Sequence, residues 1–321
     1  MRTMKRLLLA LTAIIVSAPA YAAYPERPVT IIVPFPPGGA SDNTARVLST
    51  KLNEHLGQPV VVDNRPGANG GIGAGLLARA RPDGYTIMVG SIGVYAINPW
   101  LYKELQYHPQ RDFDLLTVAV RTPNVLVTRP NFPAGTVAEL VDYLKKNPDR
   151  VSFASSGIGS SDHLTAALLW QKTGTTGVHV PYRGGGPAVQ DLMGGHADVS
   201  FQNLGTVANH IRGEKMKLLA ITGEKRASGF DAPTMAEAGV HDLVVYSWQA
   251  VAAPKGLPAD VKAKLESALG ATLRDPDVSK RLVDIGFEVV GNSSAQFGEF
   301  LAAELARWKT VIEVGKITAD P

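Results

Sequence analysis

Between Thr30 and Asp42 the chain reads T-I-I-V-P-F-P-P-G-G-A-S-D, and this segment constrains the fold more than any other. Its first residues form a short apolar, β-branched run, the pattern of a buried strand from Val29 to Pro34. Pro36, Pro37, Gly38 and Gly39 turn the chain, and Ala40, Ser41 and Asp42 open the next element. There Thr44, Leu48, Leu52 and Leu56 recur at every fourth position, so the spacing predicts a helix from Ser41 to Leu56, stopped by Gly57. A strand that passes through glycine into a helix leaves the first backbone N–H groups of that helix without intrahelical acceptors. Such a junction can hold an anion without a lysine or arginine.

The same alternation of strand and helix continues through Asp63, Arg81 and Gly90. It begins again near Asn124 and runs to Thr222, which implies βαβ units and mostly parallel pairing. Leu243 to Ala253 reads as one long strand, and three helical segments follow it. Those helices need a sheet to cover, and the first half offers one. Two strands, one around Leu115 to Val127 and the other from Leu243, would then cross between the halves and form a hinge over a cleft. The expected fold class is α/β, with two doubly wound α/β domains joined by two crossing strands. Residues 1–22 form an export signal, 23–123 plus 248–321 the first domain, and 124–247 the second.

The signal reading rests on Arg2, Lys5 and Arg6, an apolar core from Leu7 to Val16, and Ala20-Tyr21-Ala22 before the cleavage point. Those three basic residues equal the whole chain's formal charge of +3, so the remainder is neutral and gives no support to nucleic-acid binding. The sequence contains no cysteine, which excludes disulfides, thiolate metal sites and a lipid anchor on cysteine. The periplasm of a Gram-negative cell is the expected location.

Ligands of open α/β sheets bind beyond the carboxyl ends of strands, and three glycine-rich loops lie at such ends. One is Phe35 to Asp42, with Pro37, Gly38, Gly39, Ala40, Ser41 and Asp42 as candidate contacts. Another holds Ser156, Gly157, Gly159, Ser160 and His163. A third runs from Tyr182 through Gly185. Glycine lets a ligand approach the backbone, and hydroxyls at a helix start either donate to a carboxylate or cap the helix. Asn69 and Ser91 are each a ligand donor or a turn residue, and Asn203 follows a strand close by.

Ser160, Ser161, Asp162 and His163 include the residue types of a hydrolytic triad. Consecutive residues at a helix start point about 100° apart, whereas a triad converges from separated positions. No G-x-S-x-G, Walker A or H-E-x-x-H motif occurs, and Gly71-Ile72-Gly73-Ala74-Gly75 lacks dinucleotide-binding spacing. The seven histidines show no metal-ligand spacing, so neither metal nor cofactor is expected.

Several ordered motifs carry a resemblance over essentially all of the mature chain. They are Y-P-E-R-P-V at Tyr24, V-P-F-P-P-G-G-A-S-D at Val33, V-V-D-N-R-P-G-A-N-G-G-I-G at Val61, A-R-A-R-P-D-G-Y-T at Ala78 and H-V-P-Y-R-G-G-G-P-A at His179. The chain resembles the Bug-type substrate-binding proteins of tripartite tricarboxylate transporters. That resemblance implies a periplasmic, monomeric, non-catalytic receptor that closes on a small organic acid and hands it to a two-component membrane permease. The ligands implied are dicarboxylates, tricarboxylates, acidic amino acids or aromatic acids. It also implies that Pro36 to Asp42 grips one carboxylate, that Arg183 could counter a second charge, and that the loops at Ser155 to His163 and Tyr182 to Gly186 close from the other side. A periplasmic serine hydrolase using Ser160 or Ser161 with His163, and a ligand sensor for a signalling partner, are the alternatives.

Overall fold

The structure is a computed structural model in which residues 24–315 and 317–319 are described. The export signal expected over residues 1–22 lies outside the described residues. β1 (Val29–Val33), α1 (Ala40–Leu56), β2 (Val60–Asn64), α2 (Gly71–Arg79) and β3 (Thr86–Ser91) come first. A π-helical turn, Gly93–Ile97, and the short helices α3 (Asn98–Leu101) and α4 (Pro109–Asp112) lead into the 16-residue β4 (Phe113–Thr128). Then follow α5 (Val137–Lys146), β5 (Ser152–Ser155), α6 (Ser161–Thr173), β6 (Val178–Pro181), α7 (Gly185–Gly194), β7 (Val199–Asn203), α8 (Leu204–Arg212) and β8 (Lys217–Ile221). The chain ends with β9 (Tyr246–Pro254), α9 (Ala259–Arg274), α10 (Pro276–Asp284), β10 (Glu288–Val289) and α11 (Ser294–Gly315).

The strand order is β2-β1-β3-β9-β4-β7-β5-β6, with β8 and β10 also paired to β4. Pairing is parallel in the outer groups β2-β1-β3 and β7-β5-β6, as the βαβ alternation predicts. The centre is antiparallel, because the chain leaves one lobe along β4 and returns along β9. From Phe113 to Pro123, β4 pairs with β9; from Asn124 to Thr128 it pairs with β7. The long strand expected from Leu243 begins its ladder only at Tyr246. Val245 instead exchanges backbone hydrogen bonds with Asn124 and Thr222 in the second lobe.

Each lobe buries apolar side chains on both faces of its sheet. In the first lobe, α1, α9 and α10 cover one face with Leu48, Leu52, Leu265, Leu269 and Leu282. On the other face Phe297, Leu301, Leu305, Trp308 and Ile312 of α11 pack with Tyr95 and Trp248. This spacing of three and four residues gives α11 one apolar stripe, and it explains why the last helices belong on the first sheet. In the second lobe Leu140, Leu144, Phe153 and Leu169 fill one face, and Ala188, Leu192 and Val207 fill the other. Among the described residues, no helix is long and apolar enough to cross a membrane, and no group of three or more His, Asp or Glu side chains could hold a metal ion.

Candidate functional site

Three helices of at least two turns begin at the cleft without a side-chain cap. Gly39 precedes α1, Gly184 precedes α7 and Asn203 precedes α8, and none of these three N-caps makes a side-chain hydrogen bond to its helix. Thr136, Ser160 and Asp275 each accept a backbone N–H at the starts of α5, α6 and α10, whereas α2 after Gly70 and α9 after Pro258 also begin without a side-chain cap but do not reach the cavity described next. The three uncapped ends meet at a cavity of about 40 Å³. Gly39, Ala40 and Ser41 line it from α1, Gly185 from α7, and Asn203 and Thr206 from α8. Phe35, Ser91, Ser156 and Gln249 complete the wall. This space admits a small polar group such as one carboxylate.

The polar walls are held in place. Ser41 Oγ donates to Gln249 Oε1 at 2.6 Å, a buried contact across 208 positions of sequence. Asn203 Nδ2 donates to Asn124 Oδ1 at 2.6 Å. The first turn is braced from below by Asp42, whose carboxylate accepts from Gly38 N at 2.9 Å, Arg46 Nε at 2.9 Å and Asn64 Nδ2 at 3.0 Å. Burial opposes ionisation of Asp42, yet those donors, led by Arg46, hold its carboxyl below the usual range. Asp162 has the equivalent place in the second lobe, accepting from the backbone N–H of Ser156 at 3.0 Å and from the Ser156 hydroxyl. Burial pushes Asp162 up to about 6 against those donors.

A larger cavity of about 500 Å³ adjoins the small one, and Phe35 and Ser156 line both. Its walls include Asn69, Tyr102, Gly157, Ile158, Tyr182 and Arg183. Arg183 has no carboxylate within ion-pair distance among the described residues. Pro37 and Gly38 line a separate groove of about 300 Å³ with Gly186 and Pro187. Another cavity of about 500 Å³ lies over β4, β9 and α11, but its charges pair internally: Arg121 with Glu288 at 2.7 Å and Arg307 with Glu304 at 3.5 Å. It offers a ligand no unbalanced charge.

The structure thus brings Phe35, Gly39, Ala40, Ser41, Ser91, Ser156, Gly185 and Asn203 to one cavity, and Asn69, Gly157 and Tyr182 to the next. Asp42, Gly159, Ser160 and His163 line none of these cavities. Ser160 Oγ accepts the backbone N–H of His163 at 3.2 Å, and His163 Nδ1 accepts from Gly159 N at 3.2 Å. These are capping contacts within one loop, not the hydroxyl-to-imidazole bond of a nucleophile and its base. Sequence reading missed Thr206 and Gln249, which line the small cavity. A polar residue inside an apolar strand, as in Trp248-Gln249-Ala250-Val251, is the signal that points to Gln249.

Turns from the two lobes touch across the cleft. Asn43 Nδ2 donates to the Gly205 carbonyl at 3.1 Å, and a Cβ at Gly184 would lie 2.7 Å from Pro36 Cδ. Two α/β lobes, two antiparallel linking strands and a polar cavity where glycine turns from both lobes meet define a bilobal solute receptor. Residues 44–316 match the family model described as "Tripartite tricarboxylate transporter family receptor". The chain belongs to this family. It is 37% identical to Protein BugT of Bordetella pertussis over 300 residues, 92% of each chain. Among solved structures, R. palustris Rpa4515 with adipate is similar at a TM-score of 0.89 and 35% identity, covering 92% of this chain and 99% of that one. MatC of Rhodopseudomonas palustris with bound malate is similar at a TM-score of 0.86 and 32% identity, covering 90% and 100%.

Proposed function

We propose that the protein is a periplasmic, non-catalytic receptor that closes its two lobes on a small carboxylate-bearing metabolite and presents it to a two-component membrane permease. The observation that carries this reading is the convergence of three uncapped helix N-termini, from both lobes, on the 40 Å³ cavity. Each such terminus stabilises an anion by up to about 2 kcal/mol when partly buried. Three of them, with direct hydrogen bonds, suffice for micromolar binding, on the order of 8 kcal/mol. One carboxylate sits against Gly39 to Ser41, Gly185 and Asn203, and the rest of the ligand extends past Phe35 and Ser156 into the larger cavity. There Arg183 faces a second carboxylate. The adipate and malate held by the two solved relatives support a dicarboxylate.

The moving bodies are residues 23–123 with 248–321, and 124–247. The change of β4 from β9 to β7 pairing between Pro123 and Asn124, and the bonds of Val245 to the second lobe, support that division. Because the site takes donors from both lobes, the ligand favours the closed state and needs no neighbouring subunit. A thermal-shift screen of the mature protein against mono-, di- and tricarboxylic acids tests the reading. A ligand at about 100 times its Kd stabilises by roughly 2.7 kcal/mol, a readily visible shift. No shift with any acid would contradict it.

A further inference from the structure

Gln202 is 1% exposed and sits at the end of β7, beneath the first turn of α7. Its amide orientation is set by Ser200. The Ser200 hydroxyl donates to the Ala154 carbonyl, so it can only accept from Gln202, and Gln202 Nε2 donates to it at 2.9 Å. The carbonyl end, Oε1, therefore points the other way, and it has no hydrogen-bond partner. It faces the space above Gly185: a Cβ built there would lie 3.2 Å from Gln202 Oε1, 3.3 Å from Ser156 Oγ and 3.4 Å from Thr206 Cγ2. Gly185, Ser156 and Thr206 all line the 40 Å³ cavity. A buried acceptor without a partner thus lies 3.2 Å from the Cβ position of Gly185, at the edge of the cavity that Ser156 and Thr206 also line.

We infer that Gln202 Oε1 is a specificity-determining acceptor, which selects carboxylates carrying a hydroxyl or ammonium donor next to the bound carboxylate. This rests on the receptor reading above and narrows its ligand class. A lone buried acceptor is costly to leave unmet, and a carboxylate oxygen placed beside it is repelled. A ligand that brings a carboxylate to the helix ends and a donor to Gln202 satisfies both. An unsubstituted acid satisfies only the first. Sites that hydrogen-bond a ligand group reject the analogue lacking it more strongly than apolar pockets reject an extra methylene. Glycine at position 185 keeps the approach to Oε1 open, since any side chain there fills the space between Oε1, Ser156 and Thr206.

Calorimetric titration with succinate, malate (both enantiomers) and aspartate tests this, repeated at five and six carbons with the parent acid and its 2-hydroxy and 2-amino derivatives. The expected result at the best-fitting length is at least tenfold tighter binding of a hydroxy or amino acid than of the parent acid. Gln202→Met, which keeps length and removes the acceptor, should reduce that ratio below threefold. Gly185→Ala should also compress the ratio. Equal wild-type affinity for parent and substituted acids would mean that bound water serves Oε1, and it would overturn the inference while leaving the receptor reading intact. A ratio retained in Gln202→Met would overturn it as well. The wild-type ratio needs no variant, so misfolding of Gln202→Met does not shield the proposal. Absence of binding by every carboxylate would instead bring down the receptor reading, and the inference with it.

Discussion

Gly186 of α7 lies so close to Pro37 of the opposite lobe that a Cβ on Gly186 would sit 2.7 Å from the Pro37 carbonyl oxygen. The contact is with backbone, so it cannot be relieved by rotating a side chain, and it exists only when the lobes are together. Gly186→Ala therefore separates closure from folding. Alanine is the better helix former, so folding stability should be unchanged or higher by up to about 1 kcal/mol. Ligand affinity should fall at least tenfold, about 1.4 kcal/mol. Denaturant unfolding and calorimetry measure the two quantities on the same variant, and unchanged affinity would argue against closure at this contact.

Asp42 braces the first turn without reaching the cavity. Asp42→Ala removes acceptors from Gly38, Arg46 and Asn64 together. The expected loss of folding stability is about 1.5–3 kcal/mol, the range for a hydrogen bond to a charged group, since the donors keep access to water once the buried carboxylate is gone. Urea titration checks this, and a change below a few tenths of a kcal/mol would show that the turn holds its shape unaided.

The rings of His163 and His179 stack with centroids 3.8 Å apart and planes 5° from parallel. Burial lowers His163 to about 4; burial, and then its neighbour His163, lower His179 to about 3. Both folded values lie below the ordinary value of about 6.5. Within that interval the unfolded chain binds more protons than the folded one, so stability rises with pH. The contribution is complete above about pH 6.5 and is lost as pH falls toward the folded values. Asp162, raised to about 6, works in the opposite direction between about pH 4 and 6. The melting temperature should drop on acidification, and His179→Gln, which keeps a polar partner for Ser155 Oγ, now 2.7 Å from His179 Nε2, should make the drop shallower. An identical pH profile in the variant would remove His179 from the explanation.

Much of this architecture is legible in the sequence because it is local. The strand Val29–Val33, the four-residue spacing through Leu56 and the glycine turns each carry their own signal within a dozen residues. The segment between Ser91 and Phe113 does not. Its π-helical turn and two short helices are held by distant packing, with Tyr95 stacked on Trp248 at 5.7 Å and edge-on to Phe297 at the same distance. The site divides in the same way. Phe35, Gly39 to Ser41 and Gly185 follow from the strand–glycine–helix pattern. Gln249 reaches the cavity through a bond to Ser41 made 208 residues away, and Gln202 matters through an atom with no partner at all. A polar residue inside an apolar strand marks Gln249 locally, but neither its partner Ser41 nor the surroundings of Gln202 can be read from neighbouring residues. Ser160 and His163, also expected at the ligand, make capping contacts at the start of α6, where a capping serine and a ligand-donating serine use the same residue type at the same helix position.

The central claim is that backbone donors at converging helix ends hold a carboxylate. It is tested most directly by calorimetric titration of the mature protein with the best acid from the thermal screen and with its matched amides, in which one carboxylate at a time is replaced. The account predicts that at least one amide, in which neutral nitrogen donors replace the carboxylate at the cavity, binds at least a hundredfold more weakly than the acid, about 2.7 kcal/mol. Equal affinity of the acid and every amide would contradict it.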